Sequence, residues 1–179
     1  MNYSQYDEIA NKYDAFFTDK ESIEENNAVS QMLSDVKGRV YDIGCGTGLL
    51  TEIIEISPKK YYGIDPSKEM LNKFVEKHPE YKFRVVQETF ESDASNLNEF
   101  DWVVSLFGSI SYVEPNMLKK ISESDTHHFL MFYKEKYHPI TYTLANVEFN
   151  HFRSSTEELS LLFPYSTIKE FNNYIIVSR

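Results

Sequence analysis

The 179-residue sequence predicts an α/β domain on a doubly wound, mostly parallel sheet of seven strands, with one antiparallel strand near the edge. Three observations predict it. From Arg39 to Tyr133, short apolar runs alternate with helical patterns, which implies parallel pairing through right-handed crossovers. The first of these runs turns into a helix through Gly44-Cys45-Gly46-Thr47-Gly48. Beyond the alternation, two β-type runs flank Asn172-Asn173, residues that tolerate positive φ and suit a two-residue hairpin turn.

Taken in order, Tyr6, Ile9, Ala10, Tyr13, Phe16 and Phe17 fall at helical spacing and predict an amphipathic helix over Ser4 to Phe17. Ser22 and Glu25 have the form of a capping box for a second helix lined by Ile23, Met32, Leu33 and Val36, which Gly38 ends. Strands follow at Arg39 to Ile43, Lys60 to Ile64, Phe83 to Gln87, Phe100 to Leu106 and His128 to Tyr133. The intervening helices cover Leu49 to Ile56 and the stretch carrying Met70, Leu71, Phe74 and Val75, with further helix signals at Asn98 to Phe100 and Pro115 to Ile121. Residues 134–155 alternate Ile140, Tyr142 and Leu144 and predict an added strand or hairpin. Glu157 to Phe163 reads as a helix with Thr156 as N-cap, and Thr167 to Phe171 and Tyr174 to Val177 close the sheet.

Length and composition bound the function. One domain of 1–179 with a sizeable core is expected. No apolar run reaches the roughly 20 residues of a membrane span, and the polar, acidic start MNYSQYDEIANKYD is unlike a secretory signal. Cys45 is the one cysteine, so an internal disulfide and a Cys-based zinc site are both excluded. These features suit a cytoplasmic protein that engages no membrane and uses no metal. The formal net charge of -10 argues against a general grip on nucleic acid, which relies on Lys and Arg at the phosphates.

The glycine turn gains a role from its position. In open α/β sheets ligands bind beyond the carboxyl ends of the strands, at the switch point. Glycines there permit unusual φ and close approach to the main chain, and the free N–H groups opening the helix favour an anion. A tight turn with no ligand is the plainer alternative. Asp65, at the end of Tyr61-Tyr62-Gly63-Ile64-Asp65, stands where an acid meets ribose hydroxyls in this architecture; as an N-cap before Pro66 it also has a purely structural use. The spacing is not the dinucleotide G-x-G-x-x-G, since Leu49 takes the final glycine's place, and no P-loop pattern is present.

The spacing resembles instead that of class I S-adenosylmethionine-dependent methyltransferases, whose sheet is Rossmann-like. Asp42-Ile-Gly-Cys-Gly-Thr-Gly48 is similar to their first motif, and Gly63-Ile-Asp65-Pro-Ser-Lys-Glu-Met-Leu71 to their second. Phe100 to Val113 resembles their fourth, and Tyr6 to Asp14 the first helix of many small members. The resemblance covers most of Tyr3 to Tyr133 and implies S-adenosyl-L-methionine as cofactor. It implies that the methionine end lies over Gly44, Gly46 and Gly48, with Cys45 inside that turn and facing the same side. The ammonium would meet carbonyls near Gly44 and Ser105, helped by Asp42. Asp65 would hold the ribose, and Pro66 or Met70 would flank the adenine. Many members have an acid after the third strand; here Thr89 stands in its place, so Thr89 and the Phe90 backbone are the candidates for the adenine edge.

The implied reaction is methyl transfer by in-line displacement, which needs alignment and dryness more than a dedicated catalytic group. Should the acceptor need a base, Tyr13, Tyr112, His138 and His151 are candidates, although each histidine reads more simply as a surface or packed residue. Phe107-Gly-Ser-Ile replaces the N-P-P-aromatic signature of amide- or adenine-N6-directed members, and Cys45 is placed wrongly for a covalent nucleophile. In this fold residues 1–37 and 134–155 would cover the acceptor. Their aromatic content suits a small organic molecule, while Lys134, Lys136 and Arg153 leave an anionic one open. A small-molecule methyltransferase is therefore expected; a non-catalytic subunit that activates a partner, an RNA or protein methyltransferase, and more distantly a nicotinamide enzyme are the alternatives. The sequence carries no signal of oligomeric state.

Overall fold

The computed structural model describes residues 4–93, 97–134, 141–144, 147–152 and 154–179. Seven strands form the main sheet: β1 (Val40–Ile43), β2 (Tyr61–Ile64), β3 (Val85–Val86), β4 (Trp102–Ser105), β5 (His127–Tyr133), β8 (Thr167–Phe171) and β9 (Tyr174–Ser178). Their order is β3-β2-β1-β4-β5-β9-β8. The pairs among β1 to β5 are parallel, and β9 runs antiparallel to both β5 and β8. The chain thus departs in both directions from β1, and the ends of β1 and β4 meet at the switch point. Between β5 and β8 in the chain, β6 (Thr141–Leu144) and β7 (Val147–Asn150) make a separate antiparallel hairpin within the predicted 134–155 segment.

Both faces of the sheet's centre are covered, so its central strands are largely buried: all four residues of β1 are buried, as are six of the seven in β5, while the edge strand β8 is mostly exposed. One face packs Ile43, Ile64, Leu130 and Phe132 against α6 (Pro115–Ser122) and α7 (Thr156–Leu162). The other packs Val40, Val104, Phe129 and Met131 against α2 (Lys20–Met32), α3 (Leu49–Ile53) and α4 (Lys68–Lys77). A smaller cluster joins Ile9, Ala10, Met70 and Phe149, so the N-terminal segment, α4 and the β6–β7 hairpin share one satellite core.

Several boundaries depart from the sequence reading. The single helix expected over Ser4 to Phe17 is α1 (Ser4–Ile9) followed by two 3₁₀ turns, Ala10–Lys12 and Asp14–Phe17. Asp14 accepts from Thr47 Oγ1 and pairs with Lys77, and these tertiary contacts override the local helical preference. The second helix starts at Lys20 because Asp19, not Ser22, is its cap, accepting from the Ser22 N–H at 2.8 Å. α3 stops at Ile53, with Ile54 extended. β3 shrinks to two residues, and Phe83 is 90% exposed. α7 is capped by Ser155 through a reciprocal box with Glu158 rather than by Thr156. A two-residue loop does join β8 to β9, with Asn172 at φ 47. α5 (Phe90–Asp93) is a short turn after β3.

Candidate active site

The glycine turn leaves β1 at Ile43, and the Gly44 and Cys45 N–H groups donate to the Ile64 carbonyl at 2.8 and 3.0 Å, so the turn is tied to the end of β2. Two glycines meet different demands. A Cβ at Gly44 would overlap the Ser109 side chain, which packs against the turn and donates to the Gly44 carbonyl at 3.3 Å. Gly46, at φ 53, has nothing within 4 Å of where a Cβ would stand, so its backbone faces open space. Gly48 instead serves packing, since a Cβ there would sit 2.9 Å from the Phe74 ring of α4.

Asp65 reaches across from β2 to this turn. Its Oδ2 accepts from the Gly46 N–H at 3.0 Å and its Oδ1 from the Ser67 N–H at 2.8 Å. Burial raises its pKa to about 6 against the opposing pull of those two N–H groups, with Asp7 adding a smaller upward push. Asp42 lies behind the turn and accepts from Tyr61 Oη at 2.7 Å; burial lifts its pKa to about 7, which the tyrosine bond opposes and the nearby Asp65 charge reinforces. Among the described residues neither carboxylate pairs with a lysine or arginine. Two buried acids without a cation, beside an open glycine backbone, form an acceptor set suited to hydroxyl and ammonium donors.

Three cavities converge here. One of about 70 Å³ lies over the turn, bounded by Gly44, Gly46, Asp65, Pro66 and Met70 from the sheet side. A second of about 40 Å³ continues past Pro66 to Thr89 and Phe90. The third, about 520 Å³, opens from the first toward α2 and the N-terminal segment. Four side chains line both the first and the third: Tyr6, Tyr13, Phe107 and Tyr133. All four are aromatic and form the boundary, or gate, between the two spaces. Phe107 takes φ 46, a left-handed conformation unusual for a bulky residue. Gly108 follows at φ 89, and any Cβ there would run into the Tyr133 ring. The backbone after β4 is thereby bent to hold two gate rings at one place.

The candidate residues divide accordingly. Gly44, Gly46, Asp65, Pro66, Met70, Thr89 and Phe90 line the two smaller cavities. Asp42, Cys45, Gly48 and Ser105 stand behind them. Ser105 is fully buried and donates to the Ile43 carbonyl at 2.8 Å, and Cys45 is buried with its Cβ toward Gly63 rather than toward the cavity. Burial and the neighbouring Asp42 and Asp65 push the Cys45 thiol up, which disfavours the thiolate. Thr89 Oγ1 lies 3.2 Å from Ser92 Oγ at the start of α5, and Glu88 beside it also faces the second cavity. Tyr13 belongs to the gate, and Tyr112 lines both small cavities with its hydroxyl 3.0 Å from that of Tyr6. His151 is buried against Tyr133 and Tyr112, with Nδ1 2.7 Å from the Phe152 carbonyl. His138 lies outside the described residues.

Tyr6, Phe107, Ser109 and Tyr133 were not legible as site residues. Tyr6 and Tyr133 read as ordinary core aromatics on a helix and a strand. The Phe107-Gly108 pair, a bulky residue before glycine at the end of a switch-point strand, carried the one available signal.

Comparison with known proteins bears on the family and the fold. Residues 40–125 match a family profile described as a methyltransferase domain. No curated protein sequence matches the chain. Among solved structures it is similar to an S-adenosylmethionine-dependent methyltransferase from Clostridium acetobutylicum, at 17% identity and TM-score 0.61, covering 98% of this chain and 97% of that one. A Thermotoga maritima protein described as a SAM-dependent methyltransferase, possible histamine N-methyltransferase, gives 18% identity and TM-score 0.62 over 94% of this chain and 81% of its own. DhpI, solved as a SAM–HEP complex, gives 14% identity and TM-score 0.65 over 98% and 94%. At these identities the likeness to the solved structures establishes the fold.

Proposed function

We propose a small-molecule acceptor for this chain, a class I S-adenosylmethionine-dependent methyltransferase that belongs, over residues 40–125, to the methyltransferase domain family. The observation that carries the reading of the site is Asp65, a buried carboxylate without a cation that bridges the end of β2 to the open Gly46 backbone. When bound, S-adenosylmethionine supplies an electrophilic methyl group on a sulfonium that leaves as a neutral thioether.

The chain's own residues supply position. Asp65 accepts from the ribose hydroxyls, and Gly44 and Gly46 let the methionine portion lie against the main chain. Pro66 and Met70 would flank the adenine, with Thr89 and the Phe90 backbone available to its edge. Asp42 and Ser105 brace the turn from behind, and the buried Asp42 charge favours a nearby ammonium. At the aromatic gate Tyr6, Tyr13, Phe107 and Tyr133 would exclude water from the transfer. Holding two reactants in line supplies effective molarities on the order of 10⁵ to 10⁸ M, about 7 to 11 kcal/mol, so no separate catalytic group is required.

The described parts of residues 1–37 and 134–155 act as the cover. Asp7 accepts from Ser67 Oγ and from the Glu69 N–H, Asp14 is held by Thr47 and Lys77, and Gln5 bonds the Glu148 carbonyl on the hairpin. These are polar contacts that can open to admit the cofactor. A concave cavity of about 520 Å³ beside the gate, of the size that takes a small ligand, supports a small molecule rather than a polymer as acceptor. Among the described residues no helix is long and apolar enough to cross a membrane.

The test is a thermal-shift titration with S-adenosylhomocysteine. The protein gains stability in its presence, and Asp65→Ala weakens binding about 10- to 100-fold through loss of hydrogen bonds to a charged acceptor. No shift at saturating ligand overturns the reading.

A further inference from the structure

The large cavity has a charge that its neighbours do not cancel. Its charged lining residues, among those described, are Asp14, Glu25, Glu52 and Lys77. Lys77 is already engaged, 2.8 Å from Asp14 and 2.7 Å from Glu52, and His78 adds a contact to Glu52 at 3.1 Å. Glu25, on α2, has a different partner: its Oε1 accepts from the Asn172 amide at 2.8 Å. An amide satisfies one lone pair but leaves the charge standing. Lys134, the described cation on the hairpin side, is taken by Glu170. The space is therefore negative, and an anionic guest would find no described cation that is not already shared.

Aromatic rings make up half of its uncharged lining, with Leu49 and Leu144 and the neutral polar Thr18, Ser22, Asn26 and Thr47 beside them. Tyr13 packs on Phe17 at 5.2 Å between ring centroids, Phe107 on Tyr174 at 5.5 Å, and Tyr133 on Tyr174 at 5.9 Å. Ring faces and a carboxylate together recognise an organic cation, because the ring quadrupole and the ionised oxygen both attract positive charge while the rings cover apolar carbon.

Resting on the methyltransferase reading above, we propose that the acceptor is a small organic cation: an apolar or aromatic body bearing an ammonium that Glu25 holds beside the aromatic rings of the large cavity, a binding contact distinct from the lone pair that takes the methyl. The inference assigns the charge class of the acceptor and gives Glu25 the role of selecting it. Because Glu25 touches neither the glycine turn nor Asp65, donor binding and acceptor selection are separable.

Three probes of matched shape test this: 2-phenylethylamine, 2-phenylethanol and phenylacetate. Each is titrated calorimetrically at pH 8 into the full chain saturated with S-adenosylhomocysteine. The amine binds about tenfold more tightly than the alcohol, and phenylacetate is the weakest. Glu25→Gln keeps an oxygen for Asn172 and so keeps the fold, yet erases the amine's advantage while S-adenosylhomocysteine still binds. An alcohol or phenylacetate that binds as well as the amine, no response to any of the three, or an amine preference that survives Glu25→Gln, overturns the inference and leaves the donor site standing. Failure of S-adenosylhomocysteine itself to bind overturns both.

Discussion

Asp42 and Asp65 are held in the folded chain at pKa values raised to about 7 and about 6, from an ordinary 3.8, chiefly because burial disfavours their charge. The native state consequently keeps protons that the unfolded chain has already released. The stability these acids contribute is complete below about pH 4 and is lost as pH rises through their folded pKa values. Asp42→Asn removes the larger cost and retains an acceptor for Tyr61. We expect the variant to match the parent near pH 4 and to exceed it by about 2 to 4 kcal/mol at pH 8, measured by urea unfolding at the two pH values. An unchanged difference across that range would show that Asp42 is not the titrating group. At this scale the glycine spacing and the acid ending β2 were both legible in the sequence, and folding brings the two together, Asp65 accepting from the Gly46 N–H at 3.0 Å. The gate was not legible, because Tyr6, Phe107 and Tyr133 come from three distant segments and acquire a common purpose only when folded.

At the scale of elements, the N-terminal segment is the informative case. Its aromatic spacing is helical, yet after Ile9 the chain tightens into 3₁₀ turns so that Asp14 reaches Thr47 at 2.5 Å and Lys77 at 2.8 Å. Asp14→Ala should cost about 1 kcal/mol of global stability, a modest loss for half-exposed partners. It should also speed amide exchange across residues 4–17, which hydrogen-exchange mass spectrometry would detect. Exchange rates that match the parent's would mean that the segment is secured by the Ile9 and Ala10 packing alone. The strands were read more faithfully than the helix ends. Short, mostly apolar runs such as Val40–Ile43, broken by Asp42, suit a strand buried on both faces. Boundaries such as the end of α3 and the two-residue β3 depend on what packs nearby, and that information is not local.

For the whole molecule, the two faces of the sheet share strands that no single helix can replace. β9 lies between β5 and β8, and its Ile175, Ile176 and Val177 are buried, with Ile176 in one core and its two neighbours in the other. Ile176→Ala should lower unfolding free energy by about 2 to 5 kcal/mol, read from chemical denaturation, because the cavity opens in a layer clamped from both sides. A loss below 1 kcal/mol would mean that the helices on that face can collapse to fill it. The same strand order has a bearing on biosynthesis. A ribosome delivers β8 before β9, yet β8 meets the sheet only through β9. Until the later segment emerges and settles along β5, the earlier one has no neighbour to bond, so this flank of the nascent chain waits for a hairpin that arrives in reverse of its final seating.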